Sequence, residues 1–155
     1  MAICFNENDV RPMGRDAAGV RGILLGQDDY VIGAQKVEEG MTLLTVTENG
    51  YGKRTELVEY LRTGPDGEKI PQSRGGKGLK NYNITPKTGK VAGCRVVDEN
   101  DDVMLIENGG VIIRVPASQI NIYKRDVQGV IVMRVEEGNQ LVALERIEKT
   151  EEPEA

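Results

Sequence analysis

One sequence pattern occurs three times along this chain, as Arg15-Asp-Ala-Ala-Gly19-Val20, Arg74-Gly-Gly-Lys-Gly78-Leu79 and Arg125-Asp-Val-Gln-Gly129-Val130. A run of strand-forming residues follows each copy after 16 or 17 residues. These runs are Val31–Val37, Val91–Val97 and Leu141–Ile147. Two landmarks that recur in register indicate a repeat architecture. We therefore expect repeats that start near Arg15, Arg74 and Arg125.

The first two repeats are predicted to continue with a β-hairpin. Leu43–Thr47 leads into Glu48-Asn49-Gly50, and Val103–Ile106 leads into Glu107-Asn108-Gly109. An Asn-Gly pair between two apolar runs is a strong hairpin signal, because both residues tolerate the positive φ that tight hairpin turns require.

A further strand is predicted after each Asn-Gly turn. It carries Lys53 and Arg54 in the first repeat and Arg114 in the second, and Ala2–Phe5 matches it at the start of the sequence. Four short strands per repeat, separated by turn residues, are typical of propeller blades. We therefore predict an all-β, propeller-like chain of about two and a half four-stranded blades, which is an incomplete ring.

The composition agrees with short strands and a mostly aliphatic core. The chain has 155 residues, 19 of them Gly, with one Phe and no Trp. There is no apolar run of the length that spans a bilayer, so no membrane partner is expected. Cys4 and Cys94 are expected to be buried free thiols, and without His or a Cys-x-x-Cys motif no metal site is predicted.

The net charge of -5 argues at first against a polyanionic partner. Residues 148–155 contain four Glu and one Lys, however, which leaves -2 for residues 1–147. We expect residues 148–155 to be an acidic, disordered tail and residues 1–147 to form the β domain. Where the cations lie matters more than the total, because phosphate contacts are screened over about 8 to 10 Å.

Several longer motifs resemble the C-terminal domain of DNA gyrase A. They follow one another in the family's order from residue 2 to about 147. They are Asp9-Val-Arg-Pro-Met-Gly-Arg15, Leu44-Thr-Val-Thr-Glu-Asn-Gly-Tyr-Gly-Lys-Arg-Thr55, Gln72-Ser-Arg-Gly-Gly-Lys-Gly78, Lys87-Thr-Gly-Lys90 and Arg125-Asp-Val-Gln-Gly129.

The resemblance implies a β-pinwheel, a propeller-like disc whose blades exchange strands and around whose basic rim double-stranded DNA bends. In the whole enzyme this wrapping supports negative supercoiling, with ATP and magnesium used outside this chain. The resemblance implies the rest of gyrase A and gyrase B as partners, and a bacterial cytoplasmic, nucleoid-associated location. It implies no cofactor and no catalytic residue here.

The family also has a basic heptapeptide, Gln-[Arg/Lys]-Arg-Gly-Gly-[Arg/Lys]-Gly, that is needed for wrapping. Gln72–Gly78 matches it except at Ser73, where a basic residue is expected, so we interpret this segment as a weaker copy. Cys4 is a second departure, since it takes the strand position where the other copies carry Arg54 or Arg114. Both changes reduce local positive charge.

Candidate DNA-binding residues are cations near the repeated pattern and on the strands after the turns, together with glycines whose backbone N–H groups could approach a phosphate. The alternative is a flexible loop with solvated cations, and for each cation alone an edge-strand charge that prevents aggregation. The candidates are Arg15, Arg21, Lys53, Arg54, Arg74, Gly75, Gly76, Lys77, Gly78, Lys80, Arg114, Lys124 and Arg125.

Other functional classes are weakly supported. Gly50–Thr55 is not a phosphate-binding nucleotide loop, because Arg54 replaces the Ser or Thr that must follow Lys53. The tyrosines at 51, 60 and 82 are interpreted as packing residues. Two alternatives remain open: the related domain of topoisomerase IV, and a protein-interaction platform without DNA. Self-association through open blade edges is a further hypothesis, since an incomplete ring would expose unpaired strand edges.

Overall fold

The computed structural model describes residues 1–149, which form short strands and single turns of 3-10 helix and contain no α-helix. The all-β prediction is confirmed. The 3-10 helices are Glu7–Asp9, Leu57–Tyr60 and Ala117–Gln119. The strands are β1 (Thr42–Thr47), β2 (Tyr51–Glu56), β3 (Arg62–Thr63), β4 (Lys69–Ile70), β5 (Val91–Val97), β6 (Asp102–Glu107), β7 (Ile112–Pro116), β8 (Val130–Ile131) and β9 (Leu141–Ile147).

The chain divides into two compact units. One comprises Met1–Tyr30 and Val58–Asn81, and the other comprises Val31–Leu57 and the chain from Tyr82 onward. Within residues 1–149, no helix is long and apolar enough to cross a membrane. Cys4 and Cys94 are both free and half-buried, and burial raises the pKa of each thiol.

The second unit contains two open antiparallel sheets, each assembled from several repeats. The strand order is β5-β1-β2-β8 in one sheet and β7-β6-β9 in the other. In each sheet the two hairpin strands come from one repeat, and β5 or β9 beside them comes from the next; in the first sheet β8 is added from the third repeat. The exchange of strands between repeats that the family resemblance implies is therefore present.

The core of the second unit is aliphatic, as the composition predicts. Alternate residues of a strand point to the same side of its sheet, and the core forms on the sides where these residues are apolar. The central buried residues are Leu44, Val46, Val97, Val103, Leu105, Ala117, Ile120, Met133, Leu141 and Leu144.

The two hairpins pair in the same way, but the Asn-Gly motif of the second lies one residue earlier in its turn than that of the first. Val46 pairs with Gly52, and Ile106 pairs with Ile112. The left-handed turn positions are therefore Gly50, with φ +82°, and Gly110, with φ +96°. Aligning the two Asn-Gly motifs had instead predicted that Gly109 corresponds to Gly50. A Cβ on Gly109 would lie 2.4 Å from the side-chain nitrogen of Asn139, so that side chain would have to move.

The predicted strand at Val31–Val37 is wrong. These residues form no strand and are exposed, with Val31 at 59%. Its counterparts β5 and β9 each pair with the hairpin of the preceding repeat, as β5 does with β1 and β9 with β6. Among residues 1–149 no such hairpin lies beside Val31–Val37, and an extended segment without a hydrogen-bonded neighbour is not a strand.

In the first unit, the second copy of the repeated pattern lies along the N-terminal segment. The Leu79 N–H donates to Ala2 O at 2.7 Å, and the Gln72 N–H donates to Cys4 O at 2.7 Å. Gly78 has φ +73°, and a Cβ there would lie 2.3 Å from Ala2 O. The two backbones can approach so closely only because residue 78 has no side chain.

The second unit repeats this geometry with the third copy of the pattern. Val130 pairs with Gly52 of β2, and the Tyr123 N–H donates to Arg54 O at 2.8 Å. Gly129 has φ +70°, and a Cβ there would lie 2.3 Å from Gly52 O. Gly129 therefore packs on strand β2 of an earlier repeat, whereas Ala2–Phe5, predicted as the matching strand, forms only an isolated bridge between Ala2 and Leu79.

Beyond β9, Glu148 and Lys149 are described, and both form ion pairs. Lys149 Nζ lies 3.0 Å from an Asp102 carboxylate oxygen, and Glu148 lies 3.4 Å from Arg146. These two residues begin the segment predicted as a disordered tail, and its remainder, residues 150–155, lies outside the described residues.

We predict that Gly129→Ala destabilises the chain by about 2 to 4 kcal/mol, because the new Cβ adds a backbone overlap to the strain of a left-handed residue. Gly19→Ala is the matched control, since Gly19 has φ +81° but nothing within 4 Å of its Cβ position. It should cost only the backbone strain, about 1 kcal/mol. Urea unfolding followed by circular dichroism measures both. Equal losses would refute the close approach.

Candidate nucleic-acid interface

In the first unit, Arg74 fixes the basic turn instead of extending into solvent. Its Nε donates to Asp9 O at 3.0 Å and its Nη1 to Arg21 O at 2.5 Å. Beside it, the Gly75 N–H donates to Gly22 O at 2.8 Å. These bonds hold the turn against the Arg21–Gly22 backbone, so Arg74 has a structural role that the sequence did not reveal.

The glycines of this turn permit close packing between chain segments. A Cβ on Gly75, which has φ +83°, would lie 3.2 Å from Arg21 O and 3.9 Å from Arg21 Nε. The Gly75 N–H is already bonded, and Gly78 packs on Ala2. This differs from the expectation that these glycines present N–H groups to a phosphate. Gly76 is exposed, and its carbonyl accepts from the Leu24 N–H.

The exposed cations of the first unit are the groups that solvent, and therefore a phosphate, can reach. Lys77 and Lys80 are exposed within and directly after the turn, and Arg21 is exposed beside Gly75. Arg15 is also exposed, in the first copy of the pattern. The anchored turn thus brings Arg21, Lys77 and Lys80 into one basic segment, which we call the Arg74 turn.

In the second unit, Lys53 is completely buried, contrary to the expectation that it faces DNA. Its Nζ donates to Lys124 O at 2.8 Å and also to Arg125 O, and lies 5.1 Å from the centre of the Tyr82 ring. An ammonium group is tolerated in an interior only when hydrogen bonds replace its lost water. Lys53 therefore fixes the backbone of the turn around Arg125, which we call the Arg125 turn.

Arg54 and Arg114 also depart from the expected free cations on an outer strand. Arg54 is 4% exposed, and its Nε donates to Ile120 O at 2.6 Å. Arg114 is exposed, but its Nε lies 2.7 Å from the Asp102 carboxylate. Hydrogen bonds from Lys149 and Arg114 lower the pKa of Asp102 despite its burial, so this carboxylate is charged at neutral pH. This offsets the charge that Arg114 could offer to DNA.

Around the Arg125 turn, Lys124 is exposed and Arg125 is half-buried. Tyr82, interpreted from sequence only as a packing residue, is buried and donates its hydroxyl to Gln128 O. Burial, and then the proximity of Tyr51, raise the pKa of Tyr82, which keeps the hydroxyl a donor. Nothing in the sequence pattern around Lys53 indicated that its ammonium group lies over the Tyr82 ring.

The described residues offer little catalytic chemistry. Tyr51 and Tyr60 are buried like Tyr82, and the Tyr60 hydroxyl bonds to Asn81. Residues 1–149 contain no group of three or more His, Cys, Asp or Glu side chains that could hold a metal ion. What the arrangement provides is two folded turns, each held by buried or anchored cations and each carrying exposed ones.

Comparison with known proteins places these features in a family. The family model described as DNA gyrase C-terminal domain, beta-propeller, matches residues 1–38, 42–70, 68–98 and 101–148. DNA gyrase A of Klebsiella oxytoca is 39% identical over 143 residues, which is 92% of this chain and 15% of that protein. For DNA gyrase A of Aminobacterium colombiense the identity is 39%, over 99% of this chain and 18% of that protein. The chain thus spans less than a fifth of these relatives.

Solved structures show the same architecture. The DNA gyrase A C-terminal domain matches with a TM-score of 0.80 and 28% identity, over 92% of this chain and 46% of that one. The C-terminal domain of DNA topoisomerase IV also reaches a TM-score of 0.80, over 93% of this chain and 42% of that one. Its 22% identity supports the fold alone.

We predict that Lys53→Met destabilises the chain by about 2 to 4 kcal/mol, because the carbonyls of Lys124 and Arg125 lose a buried donor. Lys124→Met makes the same chemical change at an exposed position of the same turn and should stay within about 0.5 kcal/mol of the parent. Urea unfolding compares the two. If Lys53 were a solvent-facing DNA contact, both substitutions would leave stability unchanged.

Proposed function

Because this chain belongs to the DNA gyrase C-terminal domain family, we propose that it binds double-stranded DNA without sequence preference and bends it as a wrapping module of gyrase A. The proposal includes residues 1–147 as the DNA-binding part, and the rest of gyrase A together with gyrase B as partners in the bacterial cytoplasm. The ATP-dependent supercoiling would belong to that whole assembly.

The observation that carries the proposal is the Arg74 turn. Arg74 and Gly75 are tied to the backbone at Arg21 and Gly22, while Lys77 and Lys80 remain exposed. A turn fixed in this way presents its cations at small entropic cost, since few backbone torsions must be ordered on binding. Cations of this kind contact the phosphate backbone and position DNA without reading bases.

An acidic chain can bind DNA when its charges are separated. Several carboxylates are neutralised within the protein, as Asp101 is by Arg146 at 2.6 Å and Asp102 by Arg114 and Lys149. The charges of these two buried carboxylates are thus balanced where they lie. Because screening confines electrostatic attraction to about 8 to 10 Å, the exposed lysines of the turns act locally.

Binding should depend steeply on salt, since each neutralised phosphate releases counterions. We predict that Lys77→Ala/Lys80→Ala weakens binding to a duplex of about 40 base pairs by roughly 10-fold and lowers the slope of log K against log salt by about 2. Fluorescence anisotropy over a salt series measures both. Lys36→Ala/Lys69→Ala is the charge-matched control, because these exposed lysines lie outside the two turns.

Equal losses in the two double variants would mean that the turns make no specific contribution. An absence of binding by the parent chain at low salt would remove the proposal and favour a protein-interaction platform.

Wrapping is a separate prediction, because binding alone does not bend DNA. Relaxation of a plasmid by a nicking-closing topoisomerase in the presence of the chain should leave a change in linking number that rises with protein concentration. Bending costs several kcal/mol that the phosphate contacts must offset. The Lys77→Ala/Lys80→Ala variant should therefore lose this change at concentrations where it still binds. An unchanged linking number with saturating parent chain would limit the function to binding.

A further inference from the structure

Residues 85–90 form a tight turn, which we call the Thr88 loop, that is bonded to the first Asn-Gly hairpin. The Asn49 N–H donates to Thr88 O at 3.1 Å, and the Glu48 N–H donates to Lys90 O at 2.9 Å. In return, the Lys90 N–H donates to the Glu48 carboxylate at 3.1 Å. The Thr88 loop is therefore held against the turn between β1 and β2, within the second unit.

The Thr88 loop is also ordered by its own side chains and by that of Asn49. Thr88 is completely buried, and its hydroxyl accepts from the Thr85 N–H at 3.0 Å. The side-chain amide of Asn49 donates to Lys87 O at 3.0 Å. The backbone of the loop is thus fixed before any ligand binds, so that binding there has few torsions to order.

Lys87 and Lys90 are the cations that the Thr88 loop presents. Both are exposed, and neither belongs to an ion pair within residues 1–149. Lys87 Nζ lies 5.6 Å from the centre of the Tyr51 ring. An ammonium group over an aromatic face is attracted by the ring and keeps its charge. Lys87 is therefore held in place while it can still meet a phosphate.

The fold does not require these two lysines. The last repeat builds the same turn at residues 135–140, where the Asn108 N–H donates to Gln140 O at 3.0 Å and the Gln140 N–H donates to Asn108 Oδ1 at 2.9 Å. That loop contains two exposed glutamates and no Lys or Arg. Because the same backbone bonds form with the opposite charge, the positive charge of the Thr88 loop serves a ligand and not folding.

The Thr88 loop lies beside the Arg125 turn along β2. Tyr51, which lies under Lys87, and Lys53, which holds the Arg125 turn, are two residues apart on this strand. They therefore point to the same face of the sheet, about 7 Å apart. The Asn83 N–H, two residues before the loop, donates to Val127 O of the turn at 3.3 Å. The loop and the turn thus follow one another along one strand.

We propose that the Thr88 loop is a further phosphate contact for double-stranded DNA, an inference that rests on the proposed function. A duplex that passes along β2 meets Lys124 at the Arg125 turn, and then Lys87 and Lys90 at the loop. The ammonium groups bind phosphate oxygens, so this contact reads no bases. Asn49 is a positioning residue, because its N–H and its side-chain amide both bond to the loop.

Fluorescence anisotropy with the same duplex over a salt series tests the Thr88 loop. Lys87→Ala/Lys90→Ala should weaken binding by roughly 10-fold and lower the slope of log K against log salt by about 2, because two phosphate contacts are lost. Lys36→Ala/Lys69→Ala is the charge-matched control and should leave the slope unchanged. All four positions are exposed, so both variants should keep the urea midpoint of the parent chain.

Two further variants separate the position of the charges from their sum. Glu136→Ala/Glu137→Ala, added to Lys87→Ala/Lys90→Ala, restores the net charge from the acidic loop of the last repeat. The slope should stay low, since it counts contacted phosphates and not the total charge. Asn49→Ala keeps every charge and removes an amide bond to the loop, so it should weaken binding by roughly 2- to 10-fold without lowering the slope.

A Lys87→Ala/Lys90→Ala variant that matches its control, or a slope that recovers when the two glutamates are removed, would overturn this inference. The proposed function would survive either result if the parent binds and Lys77→Ala/Lys80→Ala weakens that binding. A parent chain that binds no DNA at low salt would remove the proposed function and this inference together. An Asn49→Ala variant with the affinity of the parent would overturn the positioning role of Asn49.

Discussion

The close approach of a left-handed glycine to a neighbouring backbone segment is the constraint on which both units depend. Gly78 lies against Ala2, and Gly129 lies against Gly52, at distances that exclude any Cβ. This contact covers strand edges that would otherwise expose unpaired backbone groups. It also decides where the basic turns lie, because the residues that precede each glycine are carried with it onto the strand.

Two kinds of cation follow from this arrangement. Lys53, Arg54 and Arg74 donate to main-chain carbonyls and hold the turns in place, while Lys77, Lys80 and Lys124 remain exposed. The first kind contributes to folding, and the second is exposed to solvent, where we propose that it contacts DNA phosphates. An acidic protein can thus present a few fixed positive charges, which suits a DNA contact that follows the backbone and ignores base sequence.

The sequence predicted what depends on local chemistry. Repeats, hairpins at Asn-Gly and an aliphatic core follow from short-range patterns, and the family likeness adds the exchange of strands. It mispredicted Val31–Val37, because pairing depends on which neighbour is present and not on strand propensity. The sequence also indicated that Lys53 and Arg54 are exposed cations. The carbonyls that accept their hydrogen bonds lie about 70 residues away in sequence, at Ile120, Lys124 and Arg125.

Lysine footprinting tests the central claim, that exposed cations of anchored turns hold DNA while buried ones hold the turns. Acetylation read by mass spectrometry, with and without a duplex, compares every lysine of the chain in one experiment. The account predicts that Lys77, Lys80 and Lys124 react in the free protein and are protected by DNA, and that Lys53 is unreactive in both states. Reactive Lys53, or turn lysines no better protected by DNA than Lys36 and Lys69, would contradict it.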